Sequence, residues 1–225
     1  MSGTITALVA QKRNKERVNV YLDGEFAFGL AMIEALKLKK GQTLTDREIA
    51  RLKALDEIEV AHERALKYLS YRPRSTEEVR RSLRKSKRGF SETAIEMVVE
   101  RLERAGLLDD AAFVRFWVDN RERFKPRSRR ALRYELRQRG VPDRVMDPIL
   151  DEVDEADAAY RAGEDKARRY ARADEETFRR RLSSYLSRRG FSYGIIRDAV
   201  DRIWEEMNAE PEASSDADMN QNGEA

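Results

Sequence analysis

Three glycines, Gly89, Gly140 and Gly190, stand 51 and 50 residues apart, and each is followed by an apolar residue, Phe90, Val141 or Phe191. Counting forward from each glycine, the fourth, fifth, eighth, ninth and twelfth positions are Ala94, Ile95, Val98, Val99 and Leu102, then Val145, Met146, Ile149, Leu150 and Val153, then Ile195, Ile196, Ala199, Val200 and Ile203. All are apolar, so one face of an amphipathic helix is written three times. A chain with this period is constrained to build similar helical units in tandem, because each unit must bury its apolar face against its own helices or a neighbour. Helices are expected to start near Ser91, Pro142 and Ser192. Each glycine can adopt the left-handed conformation that ends the preceding helix.

Each repeat reads as three helices. The helix that ends at the glycine carries Leu83, then Leu132 and Leu136, then Leu182 and Leu186. An earlier helix carries Leu66 and Leu69, then Val114, Phe116 and Trp117, then Ala167 and Tyr170. Polar breaks at Arg72-Pro73-Arg74-Ser75, Lys125-Pro126-Arg127-Ser128 and Arg172-Ala173-Asp174-Glu175 separate the first helix from the second. Ser75, Ser128 and Asp174 are the expected N-caps, and Ser75 with Glu78 spells a capping box.

The first thirty residues follow a different period. Residues 5–9 and 18–22 are rich in β-formers, and Asp23-Gly24 before Glu25-Phe26-Ala27-Phe28 is a hairpin signal. Helical spacing begins with Met32, Ile33 and Leu36 and resumes past Gly41 with Ile49, Leu52 and Leu55, where Thr45 and Glu48 form a second capping-box pair. The expected fold is mainly α: three tandem three-helix repeats in an elongated array, preceded by a small antiparallel β-sheet and short helices. The expected boundaries are 1–60 for the N-terminal sheet and helices, 61–110, 111–157 and 158–206 for the repeats, and 207–225 for a disordered acidic tail.

Composition narrows the function. The chain has no cysteine and a single histidine, His62, and it carries no Gly-rich phosphate loop or serine elbow. Nucleophilic triads and thiolate metal sites therefore lack their parts, and no enzyme activity, cofactor or metal is expected. Absence of cysteine fits a reducing compartment, and no apolar run is long enough to span a bilayer, so a cytoplasmic protein without membrane contact is expected. Segment 207–225 holds five acids and no base, so the body carries all 45 Lys+Arg against 37 acids.

Those bases cluster in the middle helix of every repeat. The partner- or DNA-binding candidates are Arg72, Arg74, Arg80, Arg81 and Arg84 in the first repeat and Lys125, Arg127, Arg129, Arg130, Arg133 and Arg137 in the second. Recurrence at one address implies a basic strip suited to phosphates or acidic protein surfaces. The competing reading is a solvated face laced by ion pairs, as Glu77-Glu78 beside Arg80-Arg81 suggests. Trp117 and Trp204 lie on apolar faces and are expected in the core.

The Leu-x-x-Arg-Pro-Arg-Ser-x-x-Glu-Val run over residues 69–79, the Gly-Leu-Leu-Asp-Asp-Ala-x-Phe run over 106–113, and Trp117-Val118-x-x-Arg121 resemble the RecX family. The resemblance covers residues 61–206. It implies a non-enzymatic regulator that binds the RecA recombinase filament on single-stranded DNA and limits its extension, ATP hydrolysis and strand exchange. A monomer with weak direct DNA binding is expected. The acidic Asp174-Glu175-Glu176 departs from the Arg-Pro-Arg-Ser and Lys-Pro-Arg-Ser of the first two repeats, so equal use of all three is not implied. Two other classes remain open on the residues alone: a direct nucleic-acid-binding helical module, and a structural adaptor between acidic proteins.

Overall fold

A computed structural model describes residues 2–12 and 14–209. The expected tail lies outside that span, apart from its first three residues. In chain order the elements are β1 (Gly3–Ala10), β2 (Arg17–Leu22), β3 (Glu25–Ala31), α1 (Met32–Ala35), β4 (Thr43–Leu44), α2 (Asp46–Leu69), α3 (Thr76–Arg84), α4 (Glu92–Arg104), α5 (Asp110–Phe124), α6 (Arg129–Gln138), α7 (Asp143–Asp151), α8 (Glu155–Ala167), a 3-10 turn (Arg168–Tyr170), α9 (Glu175–Arg188) and α10 (Tyr193–Asn208). The protein is thus mainly helical, with one small antiparallel sheet at its N-terminal end.

The chain forms two compact units. One holds the residues up to Trp117 together with 134–149, and the other holds 118–133 and the residues from Leu150 onward. Helices α5, α6 and α7 each contribute residues to both.

In the first unit the sheet has strand order β3-β2-β1-β4. Asp23 and Gly24 join β2 to β3 with φ of 51° and 93°, the positive values that a two-residue hairpin turn needs to match strand twist. Strand β4 was not foreseen. Its two residues are too short to show alternation, and it forms because Gly3 and Thr4 pair with Leu44 and Thr43. Ile5, Val18, Val20, Phe28, Leu30 and Leu44 fill the sheet's inner face.

Helix α2 opens on the Thr45–Glu48 capping box and runs 24 residues, since no glycine or proline interrupts it before Pro73. Ile49 and Leu52 pack on the sheet core, whereas Ile58, Ala61 and Ala65 pack with Val79, Leu83, Ile95, Val98 and Leu102 of α3 and α4. The expected boundary at 60/61 therefore falls inside a continuous helix. A buried pair reinforces the attachment: Arg17 of β2 donates a 2.6 Å hydrogen bond to Asp56 of α2, and both side chains are about nine-tenths covered.

In the second unit Ala158, Ala159 and Ala162 of α8 pack against Phe178, Leu182 and Leu186 of α9 and Ile196, Ala199, Val200 and Ile203 of α10. Trp204 packs on Phe178 with ring centroids 4.9 Å apart and ring planes inclined by 52°.

The N-caps fall where the sequence places them. Ser75 completes its capping box with Glu78, and Ser91, Ser128 and Asp174 accept from the amides of Ala94, Ala131 and Thr177. Ser192 precedes α10 but makes no side-chain cap hydrogen bond.

Several apolar positions face differently from expectation. Ile33 and Leu36 are 70% and 76% exposed because α1 is a single turn that buries Ala35 and packs Met32 against the sheet core. Leu66 and Phe116 lie outside because Ala61 and Ala65, and Phe113 and Val114, take the inward positions. Val145, Ile149 and Ile195 are half-buried, while the other twelve positions of the threefold pattern are buried.

One joint recurs in both units. In the first, the Ser75 hydroxyl at the start of α3 donates to the Arg139 carbonyl at the end of α6 (2.6 Å). In the second, the Ser128 amide at the start of α6 donates to the Arg189 carbonyl at the end of α9 (3.3 Å). Both joints bring backbone close to side chains. A Cβ on Gly140 would lie 2.3 Å from Cγ of Glu77, and one on Gly190 would lie 2.6 Å from Oγ of Ser128. Gly140 and Gly190, with φ of 77° and 92°, thus end a helix and also admit the next contact.

Candidate functional site: the basic helix faces

The candidate side chains project from α3, α6 and the turns before them. They divide by what already holds them.

Arg72, Arg74 and Arg139 converge on Glu78. Arg72 makes a two-armed contact with its carboxylate at 2.7 and 3.2 Å, Arg139 donates to it at 2.9 Å, and the Ser75 amide adds the capping bond. Burial pushes the Glu78 carboxyl up, but the Arg72 and Ser75 hydrogen bonds and the charges of Arg72 and Arg139 outweigh it and hold the group below its ordinary value. Arg74 lies 4.0 Å over the Tyr68 ring and Arg139 lies 3.8 Å over Trp117, whose Nε1 donates to Glu135. Half-covered and held on several sides, this cluster is part of the α3–α6 joint.

The remaining first-repeat candidates sit on the surface in ion pairs. Arg80 and Arg84 of α3 each make a two-armed contact with a glutamate of α4, Arg80 with Glu96 and Arg84 with Glu92, at 2.8 to 3.1 Å. The Arg hydrogen bonds are the main reason Glu92 and Glu96 stay below the usual carboxylate range. Arg81 bonds to Glu77 and to the Gln138 carbonyl. Exposed pairs of this kind contribute little, because water screens them, so a competing acidic group can exchange with them.

In the second repeat Arg137 makes a two-armed contact with Asp143 at 2.7 and 2.8 Å. Arg129 is anchored, its amide donating to Glu155 and its Nε to the Val153 carbonyl. Arg127 and Arg133 are half-buried and neither is free. Lys125 and Arg130 are exposed, and among the described residues no carboxylate pairs with either.

In the first unit Arg80, Arg81, Arg84 and Arg137 are therefore exchangeable surface pairs and Arg72 and Arg74 are framework, while in the second unit Lys125 and Arg130 are open cations and Arg129 is framework. The sequence could not separate these groups, because the acids that neutralise Arg80 and Arg84 lie on the next helix and become partners only when α3 and α4 pack. Among the described residues no cluster of three or more His, Cys, Asp and Glu side chains is placed to hold a metal, and no helix is long and apolar enough to cross a membrane. His62 is half-exposed; burial, then the nearby Arg101 charge, hold its pKa below the ordinary value.

Four family models match the chain in order. They are described as the regulatory protein RecX N-terminal domain (residues 3–45) and the first, second and third RecX three-helix domains (61–102, 109–147 and 152–200). The regulatory protein RecX of Bacillus subtilis is 31% identical over 92% of this chain and 80% of its own length. The chain belongs to the RecX family. Its RecX relative from Prosthecochloris aestuarii is 40% identical over 62% of this chain and 91% of its own length. A crystal structure of regulatory protein RecX superposes with a TM-score of 0.68 at 27% identity, covering 88% of this chain and 99% of that one. The RecX N-terminal match takes in the four strands, and the three-helix matches run from the last third of α2 into α4, from the turn before α5 into α7, and from the turn before α8 into α10. These relatives are regulatory proteins by name, and three tandem three-helix domains after a small sheet are the shared architecture.

Proposed function

We propose that this chain binds the RecA recombinase filament on single-stranded DNA and restrains its extension, ATP hydrolysis and strand exchange, without chemistry of its own. Membership of a family of regulatory proteins supports the reading, and the carrying observation is the set of exchangeable basic pairs that Arg80, Arg84 and Arg137 make. A filament presents regularly spaced acidic groups and phosphates. Arg80, Arg84 and Arg137 can trade their glutamates and aspartate for these at small cost, while Lys125 and Arg130 offer charge that nothing described already neutralises. The protein acts as a monomer in the cytoplasm, a setting that the lack of cysteine suits.

The test is the single-stranded-DNA-dependent ATPase of RecA. Protein added well below the RecA concentration slows hydrolysis and hydrolyses no ATP by itself. An unchanged RecA rate at equimolar protein overturns the proposal.

A further inference from the structure

The arginine-to-acid pairs between the second and third helix of a repeat form rungs whose acids stand three or seven residues after the turn glycine, the arginines lying five and nine residues before Gly89 and three before Gly140. In the first repeat the two rungs nearest the turn are Arg84–Glu92 and Arg80–Glu96. In the second, the rung three residues either side of Gly140 is Arg137–Asp143, and Arg133 and Asp147 occupy the positions seven residues away. The third repeat breaks the rule at both steps. The positions three residues from Gly190 are Ser187 and Tyr193, and those seven residues away are Ser183 and Arg197. A rung returns only at the third step, where Arg179 pairs with Asp201.

The consequence is an open groove between α9 and α10 of about 490 Å³, a size suited to a nucleotide-scale ligand. Its floor is apolar, with Phe191 and Ile196, and its walls carry the hydroxyls of Ser183, Ser184 and Ser187 opposite Tyr193 and Arg197. Tyr193 is 81% exposed, the most exposed of the large apolar and aromatic side chains described. Among the described residues Arg197 pairs only with its sequence neighbour Asp198, in a contact where both side chains are more than half exposed and which a phosphate can displace. Ser192 does not cap α10, so the first-turn amides beside Tyr193 have no acceptor from that side chain.

We propose that this groove binds single-stranded nucleic acid, one base stacking on Tyr193 and the adjoining phosphate meeting Arg197 and the serine hydroxyls. An exposed ring beside a cation and a row of hydroxyls offers stacking together with backbone contacts. A duplex keeps its base faces inside its own stack and cannot use the ring. An acidic peptide could use Arg197 but leaves Tyr193 without a planar partner. Binding here is tested on a free oligonucleotide without RecA, so it stands or falls apart from filament binding.

The experiment measures binding of labelled oligo(dT), a hairpin duplex and a polyglutamate peptide to the full chain by fluorescence anisotropy across a salt series. The double substitution Ser187→Arg with Tyr193→Glu restores the missing first rung without changing net charge. It weakens oligo(dT) binding at least tenfold. Tyr193→Ala, at a position too exposed to disturb folding, weakens it about tenfold with an unchanged salt slope. Tyr193→Trp retains binding. Arg197→Gln lowers the slope of log K against log salt by about 0.7. The proposal is overturned if wild type does not bind oligo(dT), if the duplex binds as tightly, if polyglutamate binds in the groove instead, or if Tyr193→Ala leaves affinity unchanged.

Discussion

The Ser75 hydroxyl donates to the Arg139 carbonyl at 2.6 Å while accepting from the Glu78 amide at 3.1 Å, so one side chain caps the start of α3 and closes the end of α6. Both bonds are covered, since Ser75 has no exposed surface. Ser75→Ala removes the cap and leaves a carbonyl short of a partner, at a cost of about 1–3 kcal/mol. A urea titration checks the figure, and a loss below about 0.5 kcal/mol would mean that water replaces the hydroxyl at both ends.

The turn glycines separate conformational cost from close contact. Gly89 and Gly140 both have positive φ, but an added Cβ meets nothing within 4 Å at Gly89 and meets Glu77 at Gly140. Gly89→Ala is expected to cost about 1–2 kcal/mol from backbone strain alone. Gly140→Ala costs more, because Cβ and Cγ of Glu77 must move and with them the Arg81 pair. Equal losses in thermal melts would show that the α3–α6 joint yields freely.

Acid weakens the same joint. The folded pKa of Glu78 lies below its ordinary value of 4.5, so the unfolded chain takes up the proton first as pH falls. The stabilisation is therefore fully present above pH 4.5 and is lost as pH drops through the folded value. Urea midpoints of wild type and Glu78→Gln are expected to differ at pH 7 and to converge on acidification. A gap that persists in strong acid would assign the Glu78 contribution to packing rather than charge.

Charge reversal on the open cations tests the proposed interface. Reversing Arg127, Arg129 and Arg130 together confounds folding with binding, because Arg129 is tied to Val153 and Glu155. Lys125→Glu with Arg130→Glu avoids this, and the melting temperature is expected to hold while inhibition of the RecA ATPase weakens several-fold. Wild-type potency from the folded variant would move the interface to another surface.

The sequence alone determined the helical class, the threefold period, the hairpin turn and the N-caps, because each depends on residues within one or two turns of one another. Ser75 with Glu78 and Asp23 with Gly24 need no tertiary knowledge. Burial along the threefold pattern was legible for the same reason, since 3.6-residue spacing fixes a face. Where α2 divides between two cores, which arginines are framework and which exchangeable, and why a Cβ at Gly140 would meet Glu77 were settled only by packing. The open groove lies between these cases. Ser187, Tyr193, Ser183 and Arg197 stand at readable steps from Gly190, but their meaning depends on Arg84 facing Glu92 and Arg137 facing Asp143 across packed helices, a relation that side-chain reach in three dimensions creates.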